Sequence, residues 1–146
     1  MIKIIHPIAG GTALLTISTF WLSTAFSELF ASQSAITAVK TAIPWGFLVL
    51  IPALAATAGS GLALSQGRRA GLIGAKIKRM PLIAANGLLV LVPAAFFLAH
   101  KAKAAELDAV FYAVQALELV AGAANITLLL LNARDGLRMK ARSCNR

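Results

Sequence analysis

The stretch AVFYAVQALELVAGAANITLLLLNARDGLRMKAR, residues 109–142, decides the class of this chain. From Ala109 to Leu131 it carries no Lys or Arg and a single acid, Glu118; Arg134, Arg138, Lys140 and Arg142 then follow within about three turns. At 1.5 Å per residue, about 20 such residues cross the ~30 Å hydrocarbon core of a bilayer. An apolar run of that length closed by a basic cluster is the signature of a membrane span whose C-terminal end is held on the cytoplasmic side.

Three further runs match it, at residues 4–30, 43–64 and 82–99. The expected fold is therefore all-α, an integral membrane four-helix up-down-up-down bundle formed by the single domain 1–146, with no internal repeat. Of the 14 basic residues, Lys3, Arg68, Arg69, Lys76, Lys78, Arg79, Arg134, Arg138, Lys140, Arg142 and Arg146 belong to the N-terminus, the middle loop and the C-terminal tail. Only Lys40, Lys101 and Lys103 are assigned to the other two connections. That asymmetry predicts a multi-pass protein of the inner (cytoplasmic) membrane with both termini cytoplasmic. Lys3 ahead of an apolar run resembles a signal peptide in outline, but the run is too long for an h-region and is read as a retained helix.

Composition agrees. Hydrophobic residues make up 59%, charged residues 13%, and mean hydropathy is +0.81. A soluble domain carries about 25% charged residues. The formal charge of +9 flanks spans instead of interleaving with aromatics, so it is assigned to topology and anionic headgroups of the lipid bilayer, with no nucleic acid as partner. The single cysteine, Cys144, excludes a disulfide within the chain and is expected to be a free cytosolic thiol.

Pro7, Pro44 and Pro81 are read as marking helix starts, where a missing N–H costs nothing. Pro52 and Pro93 fall inside spans and are expected to kink them by freeing the carbonyls of Leu48 and Leu89. Residues 31–42 are expected to connect spans one and two, 65–81 spans two and three, and 100–108 spans three and four. Trp45 is placed at the outer interface.

Polar residues inside the spans supply the candidate sites. Thr12, Thr16, Thr19, Ser23 and Ser27 recur at helical spacing and are expected to face inward, and Ala55, Gly59 and Ala63 form a small-residue ladder on span two. On span four, Gln115, Glu118, Gly122, Asn125 and Asn132 fall within a sector of ~100°. Glu118 lies ~14 Å into that helix, near mid-bilayer, where an ionised carboxylate is costly unless protonated or paired. With no Lys, Arg or His expected at that depth, the partners assigned to it are Asn86 of span three and the hydroxyls of span one.

His6 and His100 are expected at opposite faces, which rules out joint ligation of one haem. His6 with Met80, both at the cytoplasmic end, could supply imidazole and thioether to a haem b iron, His6 being a metal ligand in that role alone, with Arg79 beside a propionate. Covalent c-type haem is excluded because C-x-x-C-H is missing. No nucleotide loop, H-E-x-x-H or zinc spacing occurs, and Gly59-Ser60-Gly61 lies inside a span without an evident base, so catalytic residues are none and an enzyme is not expected. The function expected is a non-enzymatic accessory or assembly subunit bound to a membrane-protein partner or to itself as a homo-oligomer; the alternatives are a haem-carrying electron-transfer protein and a proton-coupled small-solute transporter using Glu118.

Overall fold

The computed structural model describes residues 1–65 and 71–144. Helix α1 spans Ile2–Phe30, α2 Gln33–Ser65, α3 Gly71–Asn86, α4 Val92–Lys103 and α5 Ala109–Cys144; a π-helical turn, Gly87–Leu91, joins α3 to α4 without a break. Four segments are long and apolar enough to cross a membrane: Ile4–Phe30, Gln33–Leu64, Lys78–Lys103 and Ala109–Arg138. Only 22–28% of each apolar window is buried in the bundle, so most of the apolar surface faces outward, as lipid-facing helices require.

The helices are longer than the apolar pattern alone suggests. α1 ends where Ala31 turns extended, and α2 begins two residues later with the Ile36 amide donating to the Ser32 carbonyl. Residues 33–42, assigned above to a connection, are therefore helix, and Pro44 lies inside α2 instead of starting it. A proline is tolerated there because membrane helices re-satisfy freed carbonyls locally. At the other end of α2, α3 begins at Gly71 and takes in most of the expected middle loop, so Lys78 and Arg79 are helical. Gly67, Arg68, Arg69 and Arg146 lie outside the described residues. The basic tail continues α5 as helix to Cys144.

In span three the disturbance expected from Pro93 appears as the π turn. The Val92 amide donates to the Gly87 carbonyl, five residues back, just ahead of the proline that cannot donate at all. The extra residue in that turn absorbs the missing bond.

α1 packs on α2 and α5, and the α3–α4 span packs on the same two helices. Among the described residues α1 makes no close backbone approach to α3 or α4, nor α2 to α5, so each of these pairs is diagonal. The core is built from Ala13 and Ile17 of α1, Ile43, Phe47, Leu50 and Ala53 of α2, Ile83, Ala95 and Leu129. A smaller cluster, Ile36, Leu98, Ala102 and Phe111, closes the end carrying the Ala31–Ser32 and 104–108 links, called here the hairpin end.

The α1 hydroxyls only partly follow the inward face expected of them. Thr19 is exposed and Thr16 half-buried, and they donate to Leu15 and Thr12 carbonyls of their own helix. The inward face is instead Ala13, Ile17, Thr24 and Ser27. Backbone bonding satisfies a threonine in an apolar environment, so its spacing does not force it inward.

Candidate functional site

Lys40 is among the largest fully buried side chains of the described residues, 1% exposed. It stands on α2 in helical register with Ile36, Ile43 and Phe47, the residues that build the core, and so points into the bundle. From there its ammonium crosses the diagonal to α5, donating to Glu118 Oε2 at 2.5 Å and to Thr24 Oγ1 of α1 at 3.4 Å. The Glu118 carboxyl is 12% exposed. This corrects the expectation that no cation reaches Glu118: Lys40 belongs to a span, not to a loop, and the carboxyl is paired with it.

Around this pair, Gln115 is 3% exposed, donates from Nε2 to Glu118 Oε2 at 3.4 Å, and leaves its Oε1 buried without a partner. Glu28, a turn beyond Thr24 on α1, interacts electrostatically with both Lys40 and Glu118, and its Oε1 is likewise buried and unpartnered. The wall next to Glu118 opens on a cleft of ≈ 50 Å³ lined by Ile17, Phe20, Trp21, Thr24, Phe47, Leu91 and Gly122 among others. That volume equals a few water molecules at ~10–15 Å³ each, but the wall is almost wholly apolar. Trp21 is fixed by donating from Nε1 to the Leu119 carbonyl at 2.8 Å, and it lies over Gly122, where any side chain would collide with the indole.

Asn86 is engaged elsewhere. Its Nδ2 donates to Asn125 Oδ1 at 2.9 Å and to the Ala121 carbonyl at 2.8 Å, while Asn125 Nδ2 reaches the Ile83 carbonyl. These amides tie α3 to α5 at mid-height. One more rung toward the terminal end, Arg79 Nη1 donates to Asp135 Oδ2 at 2.7 Å and to Asn132 Oδ1 at 3.4 Å, and the Asn132 amide points at Met80 Sδ at 3.8 Å. The polar residues of α5 thus face inward and bind two different neighbours: α2 near the hairpin end, α3 toward the termini.

His6 lies against α2. Its Nδ1 is 3.1 Å from the Thr57 carbonyl and 3.0 Å from Ser60 Oγ. A carbonyl only accepts, so Nδ1 is the protonated nitrogen in this bond. Ser60 therefore does have a histidine beside it, contrary to the reading of Gly59-Ser60-Gly61 above, but Ser60 Oγ donates to the Ala56 carbonyl and receives from His6. That polarity is the reverse of what would activate a nucleophile. His6 and Met80 are thus bonded on different helices, α2 and α5 respectively, and Arg79 is committed to Asp135. Among the described residues no group of three or more His, Cys, Asp or Glu could hold a metal ion.

At the hairpin end the chain turns through Ala105 at φ 57 into α5, whose first turn is capped by Asp108: Oδ1 accepts from the Phe111 amide at 2.9 Å and Oδ2 from Lys101 Nζ at 2.6 Å. The Lys101 ammonium and then the Phe111 amide hold the Asp108 carboxyl below its ordinary pKa.

Sequence reasoning missed Lys40 and Glu28. The signal was present: Lys40 continues the i, i+3, i+4 apolar register of α2, and Glu28 follows Thr24 and Trp21 on the α1 face that meets α5. No family model, curated protein or solved structure matches the chain.

Proposed function

We propose that the chain is a four-span up-down-up-down protein of the inner membrane, both termini cytoplasmic, and that it works as a small proton-coupled carrier. The Lys40–Glu118 pair is its working centre. The single observation that carries this reading is a buried ion pair joining two diagonal helices beside a cleft. Intramembrane charges are costly and in general mark ion or proton pathways, and this one bridges helices whose backbones, among the described residues, do not approach closely. Glu118 forms part of the cleft wall together with Phe20, Trp21 and Phe47. A carboxylate framed by aromatic faces suits a small cation, which could replace the Lys40 ammonium when the pair opens.

The test uses proteoliposomes loaded with a pH-sensitive dye and given Na⁺, K⁺ or tetramethylammonium outside. A cation-dependent proton flux that falls at least ten-fold in Glu118→Gln and persists in the exposed control Glu106→Gln is the expected result. Flux that is absent with all three cations, or indifferent to Glu118→Gln, overturns the carrier.

The other two functions make separate demands. An assembly subunit would place its outward apolar faces against a membrane-protein partner or a second copy, and stoichiometric co-purification from native membranes identifies it. Haem b would need His6 to offer Nε2 while Nδ1 keeps Thr57, and Met80 sulphur to leave the Asn132 amide. A Soret band that sharpens on dithionite reduction and disappears in His6→Ala decides for haem; colourless protein from haem-replete cells decides against it.

A further inference from the structure

The charged centre holds one more acid than base. Lys40 and Glu118 neutralise each other, and Glu28 remains, its Oε1 buried and unpartnered. The charged groups that act on it are two, Lys40 from α2 and Glu118 from α5, and these in turn are bonded by the uncharged Thr24 and Gln115. α4 contributes only apolar residues to this end of the core, and its charged residues lie at its outer terminus, where Lys101 is held by Glu106 and Asp108. A second carboxylate left ionised here would have to share the one ammonium with Glu118, and its buried Oε1 would carry charge with no donor of its own, which low-dielectric surroundings penalise. Gln115 Oε1, buried and unpartnered in the same cluster, is a further acceptor that lacks a donor.

We infer that Glu28 holds the exchangeable proton of this centre, received from the aqueous phase at the hairpin end, while Glu118 stays the carboxylate bonded to Lys40. Glu28 is suited to the exchange because it is only two residues from the end of α1 and is half-buried, where Glu118 lies deeper. Loss of the proton to water leaves a second carboxylate, and the one ammonium is then drawn by two anions, one on α1 and one on α5. That competition loosens Lys40 from Glu118 and exposes the cleft wall. The inference rests on the carrier reading for its purpose and is tested independently of it.

Five acids in the whole chain make the site accessible to infrared difference spectroscopy of the full protein in lipid, recorded as pH is stepped. The expected result is one protonated-carboxyl stretch, absent in Glu28→Gln, shifted in Glu28→Asp and unmoved in Glu118→Asp. In Lys40→Met, where neither acid has a cation, the band doubles. A band that survives Glu28→Gln, or that shifts with Glu118→Asp instead, overturns the assignment. So does a wild-type spectrum without the band, or a band removed by Na⁺ at constant pH, which would make the centre an alkali-cation site. Trp21 emission in a Trp45→Phe background verifies that each variant keeps the bundle. A band with the expected behaviour but no flux in proteoliposomes sinks the carrier and leaves Glu28 as the proton site; flux without the band does the reverse.

Discussion

At the scale of single residues, the Lys40–Glu118 bond sets the largest stakes. Breaking a buried pair from one side leaves a charge with no partner, and Lys40→Met is expected to cost about 3 kcal/mol, most of it recovered in the double variant Lys40→Met/Glu118→Gln. Thermal unfolding in detergent measures the cycle; equal and additive losses in both singles and the double would show that the two groups do not interact. A steric prediction concerns Gly122, whose added Cβ would come within 2.9 Å of Trp21 Cδ1 while the indole is held by its bond to Leu119. Gly122→Ala should lower stability by roughly 1–3 kcal/mol, the usual range for overpacking, and change Trp21 emission, whereas Gly59→Ala, which meets nothing, should do neither.

At the scale of elements, the link into α5 and the rungs between α3 and α5 give two further expectations. Asp108 has its carboxyl pKa depressed by Lys101 and the Phe111 amide, so its stabilising contribution is full above the ordinary carboxylate pKa and is lost as pH falls through the lower folded value. Asp108→Asn should therefore flatten the acid limb of the melting temperature against pH, and an unchanged limb would exclude this cap as its source. Between α3 and α5, Asn125→Ala removes the acceptor for Asn86 and the donor to Ile83, and membrane hydrogen bonds of this kind average about 0.6 kcal/mol with a maximum near 1.7. Amide exchange should quicken in residues 83–91 more than in α1. The helices themselves were largely legible in the sequence because apolar length is a property of the chain alone. Their ends were not: hydropathy stops at the first charged or hydroxyl residue, while the backbone continues its hydrogen bonds through Lys40 to Gln33 and through the basic residues after Leu131, since exposed or paired polar side chains do not interrupt a helix.

At the scale of the whole molecule, moving Lys40 from a connection into a span sharpens the charge asymmetry, leaving Lys101 and Lys103 as the cations of the hairpin end. The orientation expected from it is checked with an impermeant thiol reagent on intact cells. Ala105→Cys in a Cys144→Ser background should label from outside, and native Cys144 only after permeabilisation; the opposite pattern would invert the protein. α5 is the organising helix of the bundle, joined to α2 through Glu118, to α3 through Asn125 and Asp135, and to α1 through the Leu119 carbonyl. Its inward stripe could be read in advance from a period of 3.6, but the partner of each member could not.

Taken alone, the sequence determined the class of this protein: all-helical, with four segments apolar enough to span a bilayer, a basic bias toward one end and a single inward polar stripe on the last helix. Length and periodicity suffice for that, because a spanning helix satisfies its backbone within itself and needs no neighbour to be recognised. Only the tertiary structure decided that Lys40 pairs with Glu118, that Glu28 shares that one cation without bonding it, and that Asn86 serves Asn125 instead of the acid. Which of several polar groups meet depends on the rotation and height of whole helices, and those are set by the packing of Trp21 over Gly122, Phe20 on Phe47 and the π turn before Pro93, contacts among residues far apart in the chain.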